Sequence, residues 1–413
     1  MKQLKNVPAI RFKDNKIDWN NVKLGTFSKF RRGSFPQPYG LKKWYGGDGA
    51  KPFVQVVDVT KNLNLVGKTK QTISVLAQTK SILACKGKIV VTLQGSIGRV
   101  AILQYDAYVD RTLLIFEDFQ NETNEYFWAY SIQNIFEIEK TKAPGAIIKT
   151  ITKEALSSFL ISIPNLTEQT QIGNFFKTLD EQISLQEQKH QKLINLKKAM
   201  LEKMFPKEGA DVPEIRFKGF TEKWEVKKLI EYLEVSKDKN KNLEYCKNDV
   251  LSVSGEFGIV NQIALQGRSF AGASVANYGI VRVGEIVYTK SPLKKNPFGI
   301  IKTNRFQTGI VSTLYAIYSA KNNVDSTFVE YYFAKDDRLN KYLNPLISKG
   351  AKNDMKVSDE NALKGKVIFP KSKEEQKCIA KYFTQLDNLI NVSTEQLNKF
   401  KNIKQALLQK MFV

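Results

Sequence analysis

The sequence predicts an α+β chain built twice over: two tandem mixed α/β modules, each followed by a long helix. Three observations lead there. An ordered repeat brackets both halves, the stretch inside each half is rich in short apolar runs broken by Gly, Asn and Asp, and each half ends on a helical apolar seam.

The repeat begins with Val7-Pro8-Ala9-Ile10-Arg11-Phe12-Lys13, which returns as Val212-Pro213-Glu214-Ile215-Arg216-Phe217-Lys218. At the same offset Trp19 is matched by Trp224, and Lys23-Leu24 by Lys228-Leu229. The Ile-Arg-Phe-Lys alternation reads as a short opening strand, and the Trp as a packing residue. The far ends match more strongly. Pro164, Glu168-Gln169, Ile172, Phe176, Leu179-Asp180 and Ile183 return as Pro370, Glu375-Gln376, Ile379, Phe383, Leu386-Asp387 and Ile390. Lys203-Met204-Phe205 returns as Lys410-Met411-Phe412. Between these ends the halves diverge, so one frame carries two different middles.

In the middles, Phe53–Val59, Lys88–Leu93, Arg99–Leu103, Leu113–Glu117, Ile280–Thr289 and Gly309–Tyr318 read as strands, and Asn124–Phe136 and Ser326–Leu339 as one helix per half. The modules span 1–163 and 207–369, the long helices 164–206 and 370–413. Thr167 is the expected cap of the first helix. Ser372 with Glu375 forms a capping box at the second. The first seam runs Ile172, Phe176, Leu179, Ile183, Gln186, His190, Leu193, Lys197, Met200, Met204; the second runs Ile379, Phe383, Leu386, Ile390, Ser393, Leu397, Phe400, Lys404, Leu407, Met411. Leu196 and Ile403 stand beside the two lysines and are candidates to replace them. A 3.5-residue period predicts a coiled coil, with each helix the obvious partner of the other. The pattern leaves their direction open. A seam of about 33 residues is roughly 50 Å long, about 15 base pairs of B-DNA, so antiparallel pairing would make it a ruler between two heads.

Lys and Arg number 64 against 41 Asp and Glu, a formal net charge of +23. An AT-biased genome inflates lysine, but a polyanion partner is the better reading, because phosphate neutralisation releases counterions. Chemistry is absent where the sequence lets it be tested. The chain has one histidine, His190, and three scattered cysteines, Cys85, Cys246 and Cys378, which argues against zinc sites, His-dependent triads and disulfide frameworks and fits a reduced cytoplasm. Val66-Gly67-Lys68-Thr69 has Asn62 where a phosphate loop needs glycine. Lys295-Asn296-Pro297-Phe298 lacks the second proline of the amino-methyltransferase motif, and no proline precedes an aspartate. No apolar stretch is long enough for a membrane span, and no signal peptide is visible. An active enzyme therefore lacks a catalytic constellation. A coiled-coil DNA-binding scaffold without sequence preference is the alternative.

The duplicated Pro-x(3–4)-Glu-Gln-x-x-Ile helix start, its Phe-x-x-Leu-Asp continuation and the Lys-Met-Phe ends resemble the specificity subunits of Type I restriction–modification systems over essentially the whole chain. Leu93-Gln94-Gly95-Ser96-Ile97-Gly98-Arg99 resembles a Gly-rich loop of that family, and Gly350-Ala351-Lys352-Asn353-Asp354-Met355-Lys356 a segment ahead of its long helix. The resemblance implies two target recognition domains, an antiparallel coiled coil with pseudo-two-fold symmetry, and a non-catalytic subunit reading a split asymmetric site in double-stranded DNA. It further implies two methyltransferase and two motor-nuclease partners, with S-adenosylmethionine, ATP and Mg confined to those partners.

Base reading needs forked or amide donors, and phosphate contact needs cations. The candidates are Arg31, Arg32, Gln94, Ser96, Arg99 and Lys149 in the first module, with Gly95 and Gly98 letting backbone approach the groove. In the second they are Arg268, Lys290, Lys294, Lys295, Lys352, Asn353 and Lys356. Glu168, Gln169, Glu375 and Gln376 are expected to cap the helices or to meet the methyltransferase.

Overall fold

Four short antiparallel strands make the scaffold sheet of the first unit, in the order Ser28–Arg32, Leu113–Phe119, Ile89–Thr92, Val100–Ile102. Side chains alternate across a strand. Ile89, Val91, Leu114 and Phe116 therefore face one core, while Val90, Ala101, Leu113 and Ile115 face another. With both faces covered, Ile89–Thr92 is buried at every position, which is why it reads as a continuous apolar run. The first face packs on the helix Glu125–Lys142. The second packs under a further four-stranded sheet, ordered Gln71–Ile73, Lys51–Val54, Ala107–Val109, Ile82–Ala84.

This is a computed structural model describing residues 7–142, 153–290, 293, 295–349 and 355–412. It divides into two units: Met1–Gln188 with Glu395–Val413, and Lys189–Thr394. The second unit has its own scaffold sheet, ordered Leu233–Val235, Tyr315–Ala320, Ile286–Thr289, Ile301–Thr303. Ile286, Tyr288, Ala316 and Tyr318 face the main core with helix Ser326–Tyr332. Val287 and Ile317 face the hairpin Leu251–Ser254/Gly258–Asn261 and the antiparallel pair Gly279–Val281/Gly309–Val311, between whose strands the chain passes through the scaffold sheet.

Several expectations change. The Ile-Arg-Phe-Lys segments form no strand; the opening strands are Asn20–Lys23, paired to Leu160–Ile163, and Glu225–Lys228, paired to Lys366–Phe369. Phe53–Val59 stops being strand at Val54. Buried Asp58 accepts the Gln55 N–H at 2.8 Å and turns Val56–Asp58 into a 3-10 turn. Ile280–Thr289 is two strands, parted where Gly284 takes φ +92°. Gly309–Tyr318 is broken likewise, the second strand starting at Tyr315. Ser326–Leu339 becomes two helices, Ser326–Tyr332 and Asp336–Leu343.

The long helices span Leu166–Lys203 and Lys373–Met411. Asn165, not Thr167, caps the first: its Oδ1 accepts the Glu168 N–H at 2.9 Å. Ser372 Oγ accepts the Glu375 N–H at 3.4 Å, but the Glu375 carboxylate is spent elsewhere, so only half of the expected box forms.

The first unit contains the start of the first helix and the end of the second; the second unit contains the complementary parts. Within each unit an early residue of one helix meets a late residue of the other, so the pairing is antiparallel. Asp180 meets Lys404 and Glu187 meets Lys401 in the first unit, and Asp387 meets Lys197 in the second. Ile172, Phe176, Ile183 and Met411 are buried in one; Ile379, Phe383, Leu386 and Met204 in the other. Leu179, Leu193, Met200, Ile390, Leu397, Phe400 and Leu407 are half-buried. Leu196 and Ile403 are 41% and 39% exposed, so they do not replace the seam lysines. Among the described residues no helix is long and apolar enough to cross a membrane.

Candidate nucleic-acid interface

The frame that carries any recognition surface is fixed by two copies of one clamp. Strand Asn20–Lys23 beside Leu160–Ile163 brings the opening segment to the start of the long helix. There Arg11 grips Glu168 with two nitrogens, at 2.8 and 2.6 Å, and the Trp19 indole N–H donates to the same carboxylate at 3.2 Å. Arg216, Glu375 and Trp224 repeat this at 2.7, 2.7 and 3.2 Å. Both carboxylates are buried, and each hydrogen bond raises the partner arginine above its ordinary range. A buried charge needs such full pairing. Gln169 and Gln376 are buried too. Gln169 donates to Pro164 O and accepts the Asn124 N–H; Gln376 donates to Pro370 O and accepts the Asp325 N–H. All four side chains face inward onto this chain.

A second duplicated arrangement occupies the seam. Lys404 Nζ lies 2.5 Å from Asp180 Oδ1 and 5.1 Å from the Tyr130 ring centre, and the Tyr130 hydroxyl donates to Asp180. Lys197 Nζ lies 2.5 Å from Asp387 Oδ1 and 5.9 Å from the Tyr331 ring, whose hydroxyl donates to Asp387 at 2.8 Å. Burial pushes both phenols far above their ordinary range; the aspartates add to it, and Arg305 opposes it at Tyr331. The lysines thus stay in the seam because each has a dedicated carboxylate. The duplicated Leu-Asp pair marked the repeat in the sequence, but its role as partner of the seam lysines was not read from it.

The candidate reading loop of the first unit follows strand Ile89–Thr92. Thr92 Oγ1 donates to Ser96 O and accepts the Arg99 N–H at 3.0 Å, closing the turn. Gln94 and Gly95 are exposed, and Ser96 is half-buried. Gly98 is buried: a Cβ there would stand 2.6 Å from Phe136 Cβ. This glycine, at φ +77°, packs against helix Glu125–Lys142. The Arg99 guanidinium donates to Val59 O at 3.4 Å. Arg31 and Arg32 are exposed on the edge strand Ser28–Arg32, with Arg31 3.6 Å from Glu117.

In the second unit Arg268 is exposed and lies 4.6 Å from the Phe270 ring centre. Lys290 is held by Asp359 at 2.8 Å. Lys295 is exposed. Lys356 lies on the short strand Met355–Lys356. Lys149, Lys294, Lys352 and Asn353 lie outside the described residues. Among the described residues no group of three His, Cys, Asp or Glu is placed to hold a metal.

With this geometry in hand, three kinds of likeness agree. The profile of the Type I restriction modification DNA specificity domain matches residues 16–195. The MjaVIII specificity subunit of a Type I restriction enzyme from Methanocaldococcus jannaschii is 22% identical over 95% of this chain and 91% of its own. The putative MjaX specificity subunit from the same organism is 25% identical over 76% and 73%. In fold, the chain resembles the crystal structure of a Type-I restriction-modification S subunit from M. genitalium, with TM-score 0.63 and 17% identity over 98% of this chain and 99% of that one. A chain from a structure of Type I R-M complex assembly and conformational transition gives TM-score 0.50 and 15% identity over 95% and 97%.

Proposed function

We propose that this chain is a specificity subunit of a Type I restriction–modification system, and that its two units each read one half of a split site in double-stranded DNA. It is the DNA-specificity subunit and is not itself the catalyst. The observation that carries the proposal is the duplicated frame with unlike middles. Two Arg–Glu–Trp clamps and two Lys–Asp–Tyr stations repeat residue for residue, while the sequences between them diverge and the outer lids differ. Selection that preserves a scaffold and lets its cargo diverge fits two half-sites of different sequence.

The paired helices set the spacer between the half-sites, and methyltransferase and motor-nuclease subunits dock on this chain to methylate adenine or to cut unmodified DNA in the cytoplasm. Gln94, Ser96 and Arg99 read bases for the first unit; Arg31, Arg32 and Lys149 hold its backbone. Arg268, Lys290, Lys294, Lys295, Lys352, Asn353 and Lys356 serve the second unit.

The test is a map of methylated adenines in a host expressing this chain together with a partner methyltransferase. A two-part motif with unlike halves is the expected result. Gln94→Ala or Arg99→Ala should relax one half and leave the other intact. Methylation without any motif, or equal loss on both halves, sinks the assignment.

A further inference from the structure

The loop after strand Ser28–Arg32, together with the turn before Leu113, holds three cations on aromatic rings. Lys43 Nζ lies 4.6 Å and Lys80 Nζ 5.5 Å from the Trp44 ring centre, and Arg111 Cζ lies 5.3 Å from that of Tyr39. The base under them is fixed. Trp44 is 4% exposed, and its indole N–H donates to Pro38 O at 3.2 Å, beside Tyr39. Ser74 Oγ donates to Lys43 O at 2.7 Å, and Ser34 Oγ to Lys80 O at 3.2 Å. All three cationic residues are exposed.

Among the described residues none of the three pairs with a carboxylate. The adjoining Asp110 is buried and accepts from Thr112 instead. The second unit builds the same device from other residues: Arg268 Cζ sits 4.6 Å from the Phe270 ring, and the Phe270 N–H donates to Gln262 Oε1 at 2.7 Å. A cation resting on a ring keeps its charge yet has already lost side-chain freedom, so it gives up less entropy on meeting an anion.

We propose that these ring-seated cations are phosphate contacts: Lys43, Lys80 and Arg111 grip the backbone of the half-site held by the first unit, and Arg268 that of the second. They position the duplex and carry no sequence information. The proposal rests on the half-site reading above.

The test uses the full chain in complex with its methyltransferase and a duplex carrying the mapped motif, with affinity measured across salt concentrations. Each lost phosphate contact lowers the slope of log K against log salt by about 0.9. The triple variant Lys43→Gln, Lys80→Gln, Arg111→Gln should lower it by about 2–3, and Arg268→Gln by about 1. The loss should fall equally on cognate and mismatched duplexes, with the methylation motif unchanged. Lys43→Arg with Lys80→Arg should keep the slope. In the unsubstituted complex, bound duplex should shield Lys43 and Lys80 from an amine-modifying reagent. Unchanged slope and unshielded lysines, in a complex that still prefers its motif, overturn the phosphate assignment and leave the half-site reading standing. Loss confined to one motif position overturns the positioning role. A native complex that binds every duplex alike overturns the half-site reading, while the slope still decides the phosphate contacts.

Discussion

The two units solve one packing problem with different lids. In the first, the outer face of the scaffold sheet is covered by a second four-stranded sheet that buries Val54, Ala84, Ala107 and Val109. In the second, two separate two-stranded pairs cover it, burying Leu251, Ile259, Val281 and Val311. The inner faces are nearly interchangeable. Each meets a helix capped by Asn124 or Asp325, a clamped carboxylate, and a Phe from the far end of the other long helix. Position within the sheet therefore decides what is free to vary. The inner face must satisfy buried charges, whereas the outer face needs only apolar volume of about the right shape.

Alkali should separate the units most. Burial raises Tyr232, Tyr288, Tyr315, Tyr318, Tyr331, Tyr332 and Tyr342 in the second unit. In the first, Tyr130 is strongly raised, and Tyr45, Tyr105 and Tyr126 are raised from less buried positions. A phenol whose folded-state pKa lies above its unfolded value leaves stability intact below about pH 10. Above that the unfolded chain ionises first and stability falls, by at most about 1.4 kcal/mol per pH unit for each such group. Limited proteolysis read by mass spectrometry as pH rises from 9 to 11 should open 189–394 first. Simultaneous opening, or earlier opening of the first unit, would contradict this.

Next in size are the terminal phenylalanines. Phe205 stacks on Phe383 at 5.9 Å, and Phe412 on Phe127 at 5.5 Å, so each belongs to the core of the unit built mostly from the other half of the sequence. Phe205→Ala should cost about 3–5 kcal/mol and loosen the second unit. Phe412→Ala should cost as much and loosen residues 7–142. Urea melts with the same proteolytic readout check it; each substitution loosening its own half would break the exchange.

Gly173 marks a sharper asymmetry. A Cβ there would stand 2.0 Å from Asn124 Oδ1, the atom that caps helix Glu125–Lys142. The matching position in the second helix is Ala380, which is buried without difficulty beneath a unit capped by Asp325. Gly173→Ala should cost about 1–3 kcal/mol by displacing that cap. A gain in the melting temperature of the first unit, as a helix-propensity argument alone would give, would refute it.

What the sequence shows follows the same inner–outer division. The frame was legible because its contacts demand particular residue types twice: an Arg for a Glu, a Trp to donate, a Leu-Asp to meet a seam lysine. Local pattern failed where the cause was distant. Ile10-Arg11-Phe12-Lys13 imitates a strand by alternating, but Arg11 is committed to a carboxylate 157 positions away. Gly98 sits in a glycine-rich loop, but its packing on Phe136 lies outside any local pattern. The outer strands, three or four residues each, are too short for periodicity to bound them. The ring-seated lysines at Trp44 escaped notice because nothing in one-dimensional spacing brings Lys80 to the same ring as Lys43.

The smallest difference lies at the seam stations. Tyr130 and Tyr331 each donate to the aspartate that pairs with a seam lysine, so replacing either by Phe removes that hydrogen bond, worth about 1 kcal/mol, and at Tyr331 the bond accepted from Arg305 as well. The surroundings differ. Arg305 donates to the Tyr331 hydroxyl at 3.2 Å and to Glu330 at 2.8 Å, whereas position 129, which matches Glu330, is alanine. Tyr331→Phe therefore leaves Arg305 with Glu330 and Asp387 with Lys197. Tyr130→Phe leaves Asp180 with Lys404 as its named partner. Coupling between tyrosine and lysine should be the stronger at the Tyr130 station, and a double-mutant cycle with Lys404→Met against one with Lys197→Met measures it by urea unfolding. Equal coupling energies at the two stations would mean that the Arg305 network contributes nothing to the seam.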